Sequence, residues 1–197
     1  ITYRFALPRK LSDDRRSRAA AREAVPVEIE ARLRRGAPEL ELDISLENRV
    51  SDHRLRALVN SGLNVEESVA GSTFTVERRP AVAEPVPTEL WREDAPNTHP
   101  QRGWCAVEGE VGGLAVFSRG LPEYQVIPAS AQHRAGQRSV VAVTLLRGVD
   151  QVHARDSLTI DRRAWGIPFR VPEAQCHGWQ RFSLAVRPYG GSWEGAA

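Results

Sequence analysis

Apolar and polar residues alternate with a period of two along a long early stretch of the chain. In "VPVEIEARLRRGAPELELDISLENRV", apolar residues occupy every second position from Val25 to Leu33 and again from Leu40 to Leu46. The residues Arg35-Gly36-Ala37-Pro38 between the two runs have the composition of a turn. Because successive side chains of a strand point to opposite faces, the pattern predicts a strand, a turn and a strand, each with one buried face.

The rest of the chain continues in the same way, with glycines punctuating short apolar runs. The further predicted strands are Arg54 to Val59, Ser72 to Arg78, Trp104 to Glu108, Leu114 to Ser118, Tyr124 to Ile127, Ser139 to Leu146 and Phe182 to Pro188. Together they predict an all-β fold, a large antiparallel β-sandwich that forms a single domain over residues 1–197. Residues 1–24 are expected to form a leading strand and then a polar loop or short surface helix. Residues 80–100, rich in proline, are expected to make a long excursion over the sheet.

Composition excludes several classes of partner. The net charge is +2 with both signs interspersed, so nucleic acid is not a favoured partner. There is no apolar run of about 18 residues, so no membrane partner is expected. Two cysteines without metal-site spacing favour a reducing cytoplasm, with one disulfide left open. The chain has no Met and begins abruptly with "ITYRFAL", which favours a piece cut from a longer protein.

The stretch "NRVSDHRLRALV" concentrates polar side chains as an active site would. If Asp52 to Val59 is a strand, Asp52, Arg54 and Arg56 share one face. His53 then shares the apolar face, which favours a hydrogen-bonded core histidine over a catalytic one. The charged row has two interpretations: a solvated strand face with a weak ion pair, or a surface that meets another domain or a polar ligand.

Other catalytic patterns are weak. There is no G-x-S-x-G nucleophile motif, and the histidines are scattered singly rather than spaced as zinc ligands, so no metal or cofactor is predicted in this chain. Cys176 and His177 are neighbours that face opposite ways on a strand, which favours a structural role. Glu123 and Asp94 are candidate carboxylates by location only. Among five tryptophans, most are expected in the core or an interface, and Trp91 in the excursion is the best candidate to stack on a sugar.

Four stretches, taken in order, resemble the C-terminal β region of glycoside hydrolase family 38, the α-mannosidases, and particularly the bacterial members. They are "VPVEIEARLRRGAPELELDISLENRVSDHRLRALV", "NTHPQRGWCAVEGEVGGLAVFSRGLPEYQV", "VVAVTLLRGV" and "AQCHGWQRFSLAVRPYGGSW". The chain departs from the family pattern at "LVNSGL", where an aromatic-Pro-Thr sequence is expected.

The resemblance implies a galactose-mutarotase-like supersandwich fold. It also implies that zinc and an aspartate nucleophile belong to an N-terminal β/α catalytic domain, the expected partner of this chain, and that the parent enzyme hydrolyses α-mannosides with retention. This chain is then a non-catalytic scaffold in the bacterial cytoplasm. Its candidates for contact with that domain or with a mannose-containing carbohydrate are Asp52, Arg54, Arg56 and His99.

Two alternatives remain. A carbohydrate-binding module would hold sugar through Trp91 without any hydrolase role. An aldose epimerase on the same fold would need a histidine acid and a glutamate base in one cleft, and the sequence contains no motif of that kind.

Overall fold

The computed structural model describes residues 1–85, 95–129, 137–150 and 170–195. Within them the chain forms β-strands and two short 3₁₀ turns, Pro172–Gln175 and Trp193–Gly195. The strands are β1 (Thr2–Pro8), β2 (Arg22–Leu33), β3 (Leu40–Asn48), β4 (Arg54–Asn60), β5 (Glu67–Ser72), β6 (Thr75–Pro80), β7 (His99–Pro100), β8 (Trp104–Glu108), β9 (Gly112–Ser118), β10 (Glu123–Ile127), β11 (Val140–Arg147) and β12 (Gly178–Gly190). None of the described residues belongs to a helix that is long and apolar enough to cross a membrane.

The strands form two antiparallel sheets. The large sheet has eight strands in the order β1-β2-β3-β12-β9-β8-β5-β6, and the small sheet has four in the order β4-β11-β10-β7. Strand β12 lies inside the large sheet, where it pairs with β3 on one side and β9 on the other. The predicted all-β antiparallel sandwich is confirmed.

The core lies between the two sheets and is built mainly from the inward parity of each strand. The large sheet contributes Val25, Val27, Ile44, Leu46, Val107, Val116 and Leu184, and the small sheet contributes Tyr124, Val126, Val141 and Val143. One hydrogen bond, 3.0 Å long, crosses the core between the Tyr124 hydroxyl and Ser68 Oγ. Burial raises the pKa of the Tyr124 hydroxyl, so this group remains a neutral partner for Ser68.

The predicted strand, turn and strand in the early part of the chain are confirmed by the pairing of β2 with β3. The inward row of β2 is buried at Val25 and Val27, but it becomes exposed at Ala31 and Leu33. The large sheet has eight strands and the small sheet has four, so part of the inward face of the large sheet is left uncovered. We call this uncovered part of the inward face the overhang, and define it by Tyr3, Phe5, Leu33 and Leu40.

One predicted strand is wrong. Residues Ser72 to Arg78 do not form a single strand, because β5 ends at Ser72 and β6 begins at Thr75 in an antiparallel hairpin. Phe74, in the turn, has a positive φ of 61° and a fully exposed side chain. The turn itself contains neither proline nor glycine, so nothing in the sequence interrupts the alternation there.

Two regions were predicted to contain long segments outside strands, residues 1–24 and the proline-rich residues 80–100. Strand β1 spans Thr2–Pro8 and is followed by a loop, and residues 22–24 belong to β2. An isolated bridge between Leu11 and Arg18 closes this loop. In the proline-rich excursion, residues 86–94 lie outside the described residues, and Trp91 and Asp94 are among them. Its two described ends meet where the Ala83 amide donates to Asn97 Oδ1 at 2.9 Å.

Candidate functional site

A polar cluster on the outward face of the small sheet joins three of its strands. Arg54 Nη2 donates to Glu123 Oε1 at 2.6 Å and to Thr144 Oγ1 at 2.9 Å. The Thr144 hydroxyl in turn donates to Glu123 Oε1 at 2.6 Å. These three residues come from β4, β10 and β11, so each residue holds the other two in place. A half-buried, hydrogen-bonded ion pair of this kind is stronger than an isolated surface pair.

Arg56 extends the cluster by one rung. It lies on the same face as Arg54, as strand parity predicts, and its Nη1 donates to Gln125 Oε1 at 2.8 Å. Partial burial and the neighbouring charge of Arg54 lower the pKa of the Arg56 guanidinium. The cluster therefore presents two guanidinium groups on a rigid sheet, and one oxygen of Glu123 is already occupied by two donors.

The predicted row is wrong at Asp52, which does not belong to β4. Its backbone has a positive φ of 56°, so the strict alternation of β4 does not extend back to it. Instead, its amide donates to Gln175 Oε1 at 2.7 Å, and Gln175 Nε2 donates back to Asp52 Oδ1 at 2.9 Å. Arg15 lies 3.6 Å from the same carboxylate oxygen. Asp52 thus ties the loop after β1 to the 3₁₀ turn before β12.

His53 lies just before β4 and is not the hydrogen-bonded core histidine that was expected. Both of its ring nitrogens are buried, and neither has a hydrogen-bond partner among the described residues. Burial lowers the pKa of His53, and the positive charges of Arg18 and His177 lower it further. A protonated imidazole is therefore disfavoured at this position.

This histidine predicts a pH-dependent stability. Because the pKa of His53 is lower in the folded chain than its ordinary value of 6.5, the unfolded chain binds more protons as the pH falls. The free energy of unfolding should therefore be highest above pH 6.5 and should decrease as the pH is lowered from there. Urea unfolding of the native chain and of H53L at several pH values would measure this, with a shallower pH dependence expected for H53L. An identical pH dependence in both proteins would contradict it.

His99 lies on the other side of the small sheet from the polar cluster. Its register partner is Tyr124, and the two rings are 5.8 Å apart between centroids. Burial lowers its pKa, and its Nε2 has no hydrogen-bond partner in the described part of the chain. Of the predicted site residues, the structure therefore brings together Arg54 and Arg56, separates them from Asp52 and His99, and does not describe Trp91.

The two cysteines are free thiols. Cys105 is buried in the core, and burial raises its pKa to about 12. Cys176 contacts the Ala174 carbonyl, whereas the neighbouring His177 ring pairs with Ser51 Oγ at 3.0 Å. Within the described residues, no group of three or more His, Cys, Asp or Glu side chains could hold a metal ion.

A second feature lies on the outward face of the large sheet, where sequence reasoning placed no site. A cavity of about 120 Å³ opens there, lined by Trp104, Ala106, Ala115, Phe117, Arg187, Tyr189 and Trp193. We call it the aromatic cavity. The rings of Trp104 and Trp193 are 5.6 Å apart between centroids and tilted by 33°.

Strand parity could have placed two of the residues that line this cavity on the outward face of the sheet. In β8, Cys105 and Val107 face the core, so Trp104 and Ala106 must face outward. From the sequence, most of the tryptophans were instead expected in the core or an interface, and only Trp91 was singled out. Trp179, also outside the core, is 71% exposed.

No protein-family model matches the chain, whereas a curated protein and several solved structures do. The chain is 29% identical over 179 residues, 91% of its length, to a protein of Halalkalibacterium halodurans named "Putative mannosylglycerate hydrolase", of which it covers 17%. A crystal structure of a glycosyl hydrolase family 38 protein from Enterococcus faecalis matches 98% of the chain with a TM-score of 0.77 and 22% identity. A crystal structure of an α-mannosidase from Enterococcus faecalis V583 also matches 98%, with a TM-score of 0.78 and 24% identity.

The resemblance is confirmed at the level of the fold. The two solved structures show that the chain has the fold of part of a family 38 protein. The chain spans about a fifth of the length of the relatives it matches: 17% of the bacterial hydrolase and 21% of each solved chain. The similarity therefore concerns one region of a much larger enzyme.

Proposed function

We propose that this chain is a non-catalytic β-sandwich region of a family 38 glycoside hydrolase whose complete form hydrolyses terminal α-mannosides. The observation that carries the proposal is the match of nearly the whole chain to about a fifth of a family 38 α-mannosidase. Zinc and the nucleophile would then belong to the catalytic domain of the same enzyme, and this region would act as its scaffold.

The overhang supports a role in contact with the rest of the enzyme. Leu33 is 73% exposed and Tyr3 is 50% exposed, although both lie on the inward face of the large sheet. They continue the same apolar surface that the small sheet covers elsewhere. An exposed apolar surface that is continuous with a core marks a site of protein contact. We propose that another part of the enzyme packs on this surface.

The polar cluster supports a second part of the proposal. Arg54 and Glu123 are held by mutual hydrogen bonds on a rigid sheet, which suits one wall of a cleft that handles a hydroxyl-rich substrate. We propose that Arg54 and Arg56 face either the catalytic domain or the sugar. The activity itself would come from residues outside this chain.

Substitution in the overhang tests the proposal. L33E should leave the unfolding free energy of the isolated chain within about 0.5 kcal/mol of the native value, because Leu33 is already exposed. In the complete parent enzyme, the same change would bury a carboxylate in an apolar contact, so we expect a lower melting temperature and less turnover of p-nitrophenyl α-mannoside with added zinc.

The control is V111E. Val111 is 85% exposed and lies in the turn between β8 and β9, outside both the overhang and the polar cluster. This variant of the complete enzyme should keep its melting temperature and turnover. Equal effects of L33E and V111E would refute the proposed contact. Substantial turnover by the isolated chain would refute its non-catalytic role.

A further inference from the structure

The aromatic cavity is held in shape by residues that surround it. Gly113 and Gly71 have no side chain, and a Cβ at either position would come within 3.0 Å of Tyr189 or Trp104 respectively. The two aromatic rings therefore lie close against the sheet. The arrangement does not depend on a ligand, because the chain itself positions both walls.

Glu108 holds Trp193 and Tyr189 in the wall of the aromatic cavity. Its Oε1 accepts a 2.6 Å hydrogen bond from the Trp193 backbone amide, and the Tyr189 hydroxyl lies 3.4 Å from the same oxygen. This carboxylate is therefore occupied by groups of the protein. Burial, and to a smaller extent the charge of Glu108, raise the pKa of the Tyr189 hydroxyl to about 12, so this group stays neutral.

One buried hydrogen-bond donor of the cavity is unused. Trp193 Nε1 is buried and has no partner in the described part of the chain. A buried donor without a partner is uncommon, because it costs about 1–3 kcal/mol. Arg187 also lines the cavity, and its partly buried side chain makes no hydrogen bond or ion pair with another described residue. A buried donor beside a cavity that a guanidinium also lines indicates a ligand that supplies acceptor oxygens.

The walls and the size of the cavity narrow the ligand class. Indole rings pack against the apolar C–H face of a sugar ring, whose hydroxyl and ring oxygens accept hydrogen bonds at the edges. The cavity, about 120 Å³, is smaller than the pockets that hold drug-sized ligands, so it suits a single small unit rather than a long chain.

We infer that the aromatic cavity binds one pyranose unit of a glycan, with Trp104 and Trp193 against the ring and Arg187 on its oxygens. The site lies on the large sheet, whereas the polar cluster lies on the small sheet. Only the choice of mannose as the test sugar rests on the proposed function. The scaffold role would stand if no sugar bound.

Titration with methyl α-D-mannopyranoside, followed by the indole N–H signals in ¹H–¹⁵N spectra, tests the inference. W104F and W193F assign the two relevant signals. We expect both signals to shift saturably, with a dissociation constant on the order of millimolar. R187M, which keeps the apolar stem but removes the guanidinium, should weaken binding at least about tenfold.

The matched control is R181M, on the same strand and the same outward face but outside the cavity lining. It should bind the sugar like the native chain. Equal binding by R187M and the native chain, or no saturable shift of either signal up to high sugar concentration, would overturn the inference. Binding of benzoate without any binding of the mannoside would also overturn it, because the cavity would then be a carboxylate site.

Discussion

Replacing Asn48 by aspartate is expected to lower the free energy of unfolding by at least about 3 kcal/mol. Asn48 is 1% exposed, and its Nδ2 donates to the carbonyls of Gln175 at 2.9 Å and Cys176 at 3.0 Å. Its Oδ1 accepts from the Val50 amide at 3.2 Å. Aspartate has almost the same shape, but it would place a carboxylate oxygen against two carbonyl oxygens. The buried Gln175 carbonyl would lose its donor, and the Cys176 carbonyl would keep only the 3.1 Å bond from Gln180 Nε2.

Urea unfolding at pH 7.5, followed by circular dichroism, would measure the loss. Asn64→Asp is the control because it makes the same change of charge at an exposed position, and it should stay within about 0.5 kcal/mol of the native chain. The deficit of the Asn48 variant should also shrink in mild acid, where a protonated carboxyl can donate one hydrogen bond. A loss below about 1 kcal/mol would mean that the hydrogen bonds of Asn48 contribute little to the free energy of unfolding.

Replacing Gly112 by alanine should cost about 3 kcal/mol, for a different reason. Gly112 pairs with Gly190 across β9 and β12, and an added Cβ would come within 3.0 Å of the Tyr189 carbonyl oxygen. That atom belongs to the backbone of a strand in the middle of the large sheet. It cannot rotate away as a side chain could, so the pairing of the two strands must be distorted.

Gly190 provides the control for this substitution, since it sits on the same rung and nothing lies within 4 Å of a Cβ built on it. G190A should be within about 0.5 kcal/mol of the native chain, and the two variants can be compared by thermal unfolding. If both alanines were tolerated equally, the strands would have to be further apart here than the structure shows.

Much of the fold could be predicted from the sequence because each long strand carries its own alternation. The row of β2 and the turn at Gly36 determine a hairpin without reference to the rest of the chain. The hairpin of β5 and β6 was missed because Phe74, an apolar residue with positive φ, occupies its turn. The exposure of Leu33 could not be predicted either, because it depends on how many strands the opposite sheet has.

The candidate site could also be predicted only in part. The shared face of Arg54 and Arg56 follows from parity, but their partners Glu123, Thr144 and Gln125 come from strands that are about 70 to 90 residues away in the sequence. Asp52 was assigned to the wrong face because one left-handed residue ends the alternation. The parity of a residue within its strand predicts which face of the sheet it lies on. Which side chains it contacts on that face depends on the order of the strands in the sheet.

The position of β12 has a consequence for how the chain folds. This strand joins β1, β2 and β3 to the other four strands of its sheet, so the two halves have no shared ladder until residues 178–190 have been synthesised. Pairing of β12 with β3 closes a loop of more than 100 residues, and contacts that distant in sequence form slowly. During synthesis on the ribosome, the edges of β3 and β9 that pair with β12 would stay unpaired until then, and unpaired strand edges favour aggregation.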